Sequence, residues 1–481
     1  MQIRFFTTIF VSLVTFISAA QNFSVSEPIT VASGYGNYHP QIEVMGDGEL
    51  GMIWTNSSTN SLYFCKRNGP NTFDVPIKLN PDGTEVQDYN WSGPDLCAQD
   101  SLVYVAYHDY GFETGHIYLV KSTDYGATFS DTIRVDNLPG TDYAQFPDIA
   151  VHNDTLYVVF MSHGLVTMNP QMMLTRSFDG GQTFEPAVDA SSWLGNEACD
   201  CCQPELIVND EHVIIYFRRN ASNVREIKGL ISYDRGATFN EMYSPDDHNW
   251  TISACPSSGP DARFLSNGNA VCIYRTNDAG TGKLFLNEYD VSNDIELNEI
   301  QISDAASSNT GINYPQIASD GSMFGIVWEA LGSNTDVFFN ATNTGVTSLS
   351  SSNTINISNI SGSQSKPDIA ILNGSFHIIY SELAGAEVRY VRVTSITSVV
   401  ENKGVFQISV YPNPATEFIT IDAGMQENAT VEIMDFSGKV VIETYVTTTN
   451  DQLDVSDLSS GLYLLKISGE DFTQTLSWVK E

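Results

Sequence analysis

The 481 residues carry 58 Asp and Glu against 22 Lys and Arg, a formal charge of -36, and 42% of the side chains are apolar. A chain this acidic repels phosphate backbones, which excludes nucleic-acid binding, and it is too long and too apolar for a disordered segment or a disulfide-stapled miniprotein. Only 17% of residues are charged while Gly (35), Tyr (22) and Phe (25) abound, the composition of short strands and polar turns and hence of an all-β exported protein with two domains.

Arg4, the apolar run 5–17 and Ser18-Ala19-Ala20 read as a signal peptide, residues 1–20, cleaved after Ala20. No later stretch reaches the roughly 18 to 20 apolar residues of a transmembrane helix. The mature chain is therefore expected to be secreted or to sit on the outer cell surface without a transmembrane segment.

From residue 21 onward one pattern recurs: Pro, then Asp, Glu or Gln, an apolar strand, a polar turn and a second strand ending on an aromatic residue. The prolines are Pro40, Pro94, Pro147, Pro204, Pro260, Pro315 and Pro367, and the aromatic ends are Trp54, Tyr107, Phe160, Phe217, Tyr274, Trp328 and Tyr380. The period is about 54 residues, with room for two more strands per unit, such as 117–121 and 132–135. Four-stranded units repeated radially predict a seven-bladed β-propeller over 21–394. The last unit offers three strands, so the strand at 28–32 is expected to complete it and remove an open sheet edge.

Three octets follow the third strands of units two to four: Ser122-Thr123-Asp124-Tyr125-Gly126-Ala127-Thr128-Phe129, Ser177-Phe178-Asp179-Gly180-Gly181-Gln182-Thr183-Phe184 and Ser232-Tyr233-Asp234-Arg235-Gly236-Ala237-Thr238-Phe239. The pattern S-x-D-x-G-x-T-F resembles the Asp box, or BNR repeat, of sialidases. The resemblance implies a turn in which Asp124, Asp179 and Asp234 cap amides and Gly126, Gly181 and Gly236 take a conformation other residues avoid. In that family these hairpins lie away from the active site, so their role is structural.

A sialidase would add an arginine cluster, a Tyr–Glu nucleophile and an acid–base Asp. The Phe/Tyr-Arg-Ile-Pro signature expected near the start is missing, the arginines outside outer strands and Asp boxes crowd into units four and five, and seven units depart from the sialidase six. The sialidase catalytic set is not recognisable, and whether the chain is an enzyme stays open.

Cys199-Asp200-Cys201-Cys202-Gln203-Pro204 and Cys255-Pro256-Ser257-Ser258-Gly259-Pro260 occupy the same loop position in units four and five. Propeller geometry brings them together opposite the Asp boxes, bordered by Arg218, Arg219 and Arg225. The segments C-D-C-C-x-P, R-R-N-x-x-x-x-R-E-I and W-x-I-x-x-C-P-x-x-G-P resemble secreted sialidase-like bacterial propellers, which implies a shared site without naming its ligand. In an oxidising compartment a disulfide between one clustered cysteine and Cys255 is the leading reading. A thiolate site for Cu or Zn and a redox-active or vicinal disulfide are the alternatives. On the same face, His39, Trp91, Phe146 and Tyr314 flank the repeated prolines, while His108, Asp109, His163, Arg275, Glu329 and Glu382 follow second strands. This aromatic and carboxylate rim suits sugars. The acidic channel also admits Ca, although no calcium loop supports it. The acids after the prolines, Asp95, Asp148, Glu205, Asp261 and Asp368, recur in register and are expected to be structural.

A linker (395–407) leads to residues 408–481, sized for a small Ig-like β-sandwich. Val410-Tyr411-Pro412-Asn413-Pro414-Ala415, Val431-Glu432-Ile433-Met434-Asp435-Phe436-Ser437-Gly438-Lys439 and Leu458-Ser459-Ser460-Gly461-Leu462-Tyr463-Leu464-Leu465-Lys466-Ile467 resemble the type A C-terminal sorting domain of the type IX secretion system. That resemblance implies the type IX machinery as partner and, in some members, attachment to surface lipopolysaccharide. The expected function is binding of an extracellular glycan or other polymer. The alternatives are a glycoside hydrolase or polysaccharide lyase on the same face, and a metal-binding or redox protein using the cysteines.

Overall fold

The computed structural model describes residues 22–34, 36–89, 91–109, 111, 115–138, 142–164, 170–195, 197–254, 256–278, 281–302, 311–358, 360–396, 409–422, 429–435, 439–446, 451–468 and 473–481. The predicted signal peptide, most of the predicted linker and Cys255 lie outside them. The chain divides into two compact units, 1–396 and 397–481. No helix among the described residues is long and apolar enough to cross a membrane.

The described residues of the first unit form seven antiparallel sheets, each opening with the strand that holds or follows the repeated proline. These opening strands are Asn37–Val44, Asp95–Gln99, Asp142–His152, Glu205–Val208, Asp261–Phe264, Asn313–Ser319 and Gln364–Leu372. Each packs against the next, and the seventh packs against the first. The sheets therefore form a closed, propeller-like ring. Seven apolar cores lie between neighbouring sheets. The core at the seam sets Ile42, Met52 and Trp54 of the first sheet against Leu372, Ile379 and Tyr390 of the seventh. The seventh sheet draws its outer strands from the N-terminus: Ile29–Ala32 and Asn22–Val25 both pair with Glu387–Ile396. That last strand runs two residues past the predicted propeller boundary. The second unit is also all-β, with sheets of three and four strands around Ile419, Ile421, Val431, Ile433, Leu465, Ile467 and Trp478.

The acids after the prolines hold the ring together. The Ile149 N–H donates to Asp95 Oδ2 (2.9 Å), Leu206 N–H to Asp148 Oδ2 (2.5 Å), Ile317 N–H to Asp261 Oδ2 (2.5 Å) and Ile42 N–H to Asp368 Oδ2 (2.7 Å). In each case the amide belongs to the next sheet, and Asp148, Asp261 and Asp368 use their other oxygen for the amide that follows them. Glu205 instead receives Arg263 Nη1 from the fifth sheet at 2.8 Å.

The Asp boxes act at the other end of the strands. Thr183 N–H and Oγ1 donate to the two oxygens of Asp179, and Gly181 N–H donates to Ser177 Oγ; the boxes of Asp124 and Asp234 repeat the arrangement. The glycines have φ near +80°, and each lies under a side chain of the preceding sheet: Phe64 over Gly126, Leu119 over Gly181 and Leu174 over Gly236. A Cβ at Gly181 would meet Leu119 at 2.8 Å.

Two substitutions separate these devices. Asp148→Ala strands the buried Leu206 amide, while Ile149 N–H keeps Asp95, and is expected to lower unfolding free energy by about 1–3 kcal/mol. Gly181→Ala adds steric and backbone strain of about 1–2 kcal/mol. Urea unfolding of both variants measures the difference.

Candidate functional site

Where a proline opens a strand, the residue before it normally stays extended. In four sheets it does not: His39, Phe146, Tyr314 and Lys366 have φ of 44, 58, 47 and 54°. Each sits where pairing slips by one residue, between Tyr38 and Gln41, Gln145 and Asp148, Asn313 and Gln316, and Ser365 and Asp368. Such a bulge re-aims its side chain, and left-handed backbone at a non-glycine residue is strain that clusters at functional sites. His39, Tyr314 and Lys366 thereby line an axial cavity of about 400 Å³, joined by Trp91 from the second sheet. Phe146 turns the other way into the apolar core, edge-on to Tyr89 at 5.3 Å.

The mouth is densest across the first, sixth and seventh sheets. Lys366 Nζ lies 3.6 Å from the centre of the Tyr314 ring and 5.0 Å from that of Tyr38, contacts in which ring faces hold the cation. Glu329 Oε2 accepts the Lys366 N–H at 3.1 Å and the Ser365 hydroxyl at 2.5 Å. Burial pulls the Lys366 amine down to about 8 against the opposing pull of Glu329 and Asp88. Burial also raises the Glu329 carboxyl, and it raises Tyr38 to about 12 with help from Glu329 and Asp88. His39 Nδ1 meets Asp88 Oδ1, and Thr55 Oγ1 donates to the other Asp88 oxygen at 2.8 Å. Acid, base, amine and aromatic surface thus meet within one opening.

The cysteine loop forms a separate, sealed cluster. Cys199 Sγ lies 3.3 Å from Cys201 Sγ and 3.8 Å from Cys202 Sγ, and Arg225 Nη1 donates to Cys199 Sγ at 2.9 Å. Cys201 is disulfide-bonded, whereas Cys199 and Cys202 are free thiols. Arg218 is fully buried; it donates to the carbonyls of Ser258 (3.1 Å) and Arg275 (2.8 Å) and lies over the Trp250 ring, which Arg275 shares. Arg219 pairs with Glu197. The sequence centres the binding face on these loops, yet among the described residues they line the cavity through Gln203, Pro204, Gly259 and Pro260 and not through the cysteines.

The remaining predicted rim residues divide. Trp91 stacks on Tyr89 at 5.4 Å, and His108 stacks on the same ring at 5.8 Å, its pKa carried down to about 3 by burial. His163 lies parallel to Tyr143 at 5.2 Å. Asp109 accepts the His116 N–H at 2.6 Å, and Glu382 accepts the amides of Ala384 and Gly385, so both serve their own turns. Lys366, Asp88 and Tyr38 were not anticipated. The signal for Lys366 was present, since it precedes its proline as His39 and Tyr314 do. Asp88 lies in a connection outside the repeat.

Below the mouth the cavity is walled by Glu43, Asp95, Asp148, Glu205, Asp261 and Asp368 around Arg263. Burial raises Glu43 to about 7 and Asp368 to about 8, and it raises Asp148 and Glu205 well above the usual carboxylate range, with neighbouring acids adding to it. Among the described residues, the side-chain groups spaced to hold a metal ion are Cys199, Cys201 and Cys202, and the trio Asp247, His248 and Glu299.

Residues 99–326 match the BNR repeat-like domain, and residues 409–481 match the secretion system C-terminal sorting domain. No curated protein sequence matches the chain. Similar solved structures include the S511A mutant of puromycin hydrolase (8% identity, TM-score 0.49, 81% of this chain and 59% of that one) and a PL25 ulvan lyase (9%, 0.45, 78% and 94%). A Trypanosoma rangeli sialidase mutant with trans-sialidase activity is also similar (10%, 0.48, 96% and 89%). The chain spans about three fifths of the hydrolase's length. Likenesses of this size say nothing about activity. The sorting domain identifies a type IX export substrate, delivered to the cell surface or beyond.

The raised axial acids make the ring sensitive to alkali. Between about pH 6.5 and 8 Asp368 and its neighbours Asp148 and Glu205 keep protons only when folded, so stability falls as pH rises. Thermal unfolding across that window is expected to show a falling Tm, with a shallower slope in Asp368→Asn.

Proposed function

We infer, from a chain that joins a sialidase-like BNR repeat domain to a type IX sorting domain, that the protein is a seven-bladed propeller that binds extracellular glycans or other polymers at its axial mouth. The observation that carries this reading is the convergence of His39, Trp91, Tyr314 and Lys366, from four sheets, on one cavity of about 400 Å³. That size falls within the range of small-molecule sites. Trp91 and Tyr314 offer ring faces to the C–H surface of a sugar, and Lys366, Glu329 and the His39–Asp88 pair offer hydrogen bonds or charge to its substituents. A polymer would insert an end or a side group here and lie across the rim. The tail, read as an Ig-like sandwich, is then removed on release or joined to surface lipopolysaccharide.

A glycoside hydrolase or polysaccharide lyase is the second reading. It is favoured by the Lys366 amine at about 8 beside the Glu329 carboxyl held above its normal range, because groups tuned toward neutrality suit proton transfer.

Glycan-array binding followed by calorimetry tests the first reading. Lys366→Met and Tyr314→Ala are each expected to weaken binding by at least about tenfold, or about 1.4 kcal/mol, with Asp124→Ala unaffected. Retention of no polymer, or equal affinity in all variants, removes it. New reducing ends or unsaturated products, abolished by Lys366→Met, would establish the enzyme instead.

A further inference from the structure

We propose that Cys199, Cys201 and Cys202 form an intramolecular thiol–disulfide exchange site in which the disulfide now held by Cys201 passes to Cys199 and then to Cys202. This inference does not depend on the ligand of the axial mouth.

Three features carry it. A disulfide and two free thiols share one loop, with Cys199 Sγ in contact with both other sulfurs at 3.3 and 3.8 Å. The three side chains are no more than 8% exposed, so the sulfurs nearest each thiol are those of its loop neighbours rather than those of a solution thiol. Two buried guanidiniums stand beside them: Arg225 donates to Cys199 Sγ, and Arg218 acts on Cys202. Exchange runs through a thiolate, and a buried thiolate needs such neighbours. Burial opposes ionisation of Cys202, but the Cys199 hydrogen bond, Arg218, the Ser258 amide and Arg225 together bring it down to about 6, while Cys199 is held as the thiol. The ordinary reading of a buried cysteine as a small apolar side chain fits Cys272, which lies in the apolar core. It does not account for a guanidinium directed at a sulfur.

The chemistry balances without an outside oxidant or reductant. Cys202 as thiolate takes the proton of Cys199, and Cys199 sulfur attacks Cys201 Sγ. The Cys199–Cys201 bond forms, the existing bond of Cys201 breaks, and its electron pair leaves on the sulfur that Cys201 was bonded to. In a second exchange Cys202 attacks Cys199, Cys201 departs as thiolate, and the proton of Cys202 passes to it. One disulfide exists at every stage. What changes is its reach, because a Cys199–Cys202 link is local and releases the segment that Cys201 had stapled. The loop stays anchored meanwhile by Cys199 N–H donating to the Arg218 carbonyl at 2.8 Å.

The test uses the full chain, purified without reductant and equilibrated over a series of glutathione ratios. Samples are acid-quenched, denatured, alkylated and mapped by peptide mass spectrometry. The expected result is at least about one tenth of molecules carrying Cys199–Cys201 or Cys199–Cys202 in place of the original Cys201 link. Cys199→Ser should remove both new links, Cys202→Ser should remove only the second and slow the first at least about tenfold, and Cys272→Ser should change nothing. Retained cooperative thermal unfolding confirms that each variant is folded. An original link that persists or is reduced with no alternative pairing overturns the proposal. So does protection of Cys199 and Cys202 from alkylation that is lifted by a chelator and accompanied by stoichiometric copper or zinc, which would make the cluster a metal site.

Discussion

A carboxylate shared between two sheets is the interaction on which the ring depends. A closed ring of sheets has no covalent hub, and its opening strands crowd the axis with their N–H groups directed across the gaps. Asp95, Asp148, Asp261 and Asp368 each reach across one gap to an amide of the next sheet, and the bond from Ile42 to Asp368 crosses the seam where the chain's beginning meets its end. Single bonds of this kind contribute modestly, but a buried amide left without an acceptor is costly, so the same residue type is needed at turn after turn. The cost of this solution is a ring of acids facing one another around Arg263, in which burial and neighbouring acids hold the protons of Asp148, Glu205 and Asp368 in place.

The same register produces the functional mouth. With pairing resumed at the polar residue after the proline (Gln41, Asp148, Gln316 or Asp368) and the proline fixed before it, the residue before the proline has little choice of direction. Where that residue is His39, Tyr314 or Lys366 it is turned toward the axis, and where it is Phe146 it is taken up by the apolar core. Structural clamp and candidate site thus share one motif at Lys366-Pro367-Asp368, and at His39 and Tyr314 the same bulge is followed by Gln41 and Gln316. The clamp can recur while the residue beside it varies freely, which suits a scaffold whose ligand chemistry is set by a few side chains at its rim.

What could be read from the sequence follows this division. The repeat was legible because Pro and its acid recur at nearly constant spacing, and the Asp boxes because Asp, Gly and Thr each have a fixed turn role. The strand at 28–32 was legible as the missing outer strand, although its companion Asn22–Val25 was not, lying close to the end of the predicted signal peptide. Lys366 is not legible as a site residue, because its left-handed backbone cannot be seen in one dimension. Glu382 and Asp109 read as rim residues, yet both oxygens of Glu382 and Oδ1 of Asp109 accept amides of the chain close by. The three clustered cysteines were recognised as unusual, but which of them is bonded depends on sulfur positions that spacing leaves undetermined.

Because the seventh sheet takes its outer strands from the N-terminus, the ring is a bracelet whose clasp is made first and fastened last. Arg392 N–H donates to Ser26 Oγ across 366 residues of chain, so the clasp waits through synthesis of the whole ring. Until then Asn22–Val25 and Ile29–Ala32 are strands without a sheet, able to pair with any exposed edge they meet. The seam is also the place where a tag or an uncleaved leader at the N-terminus would be felt, by holding the clasp open rather than by disturbing the axial mouth.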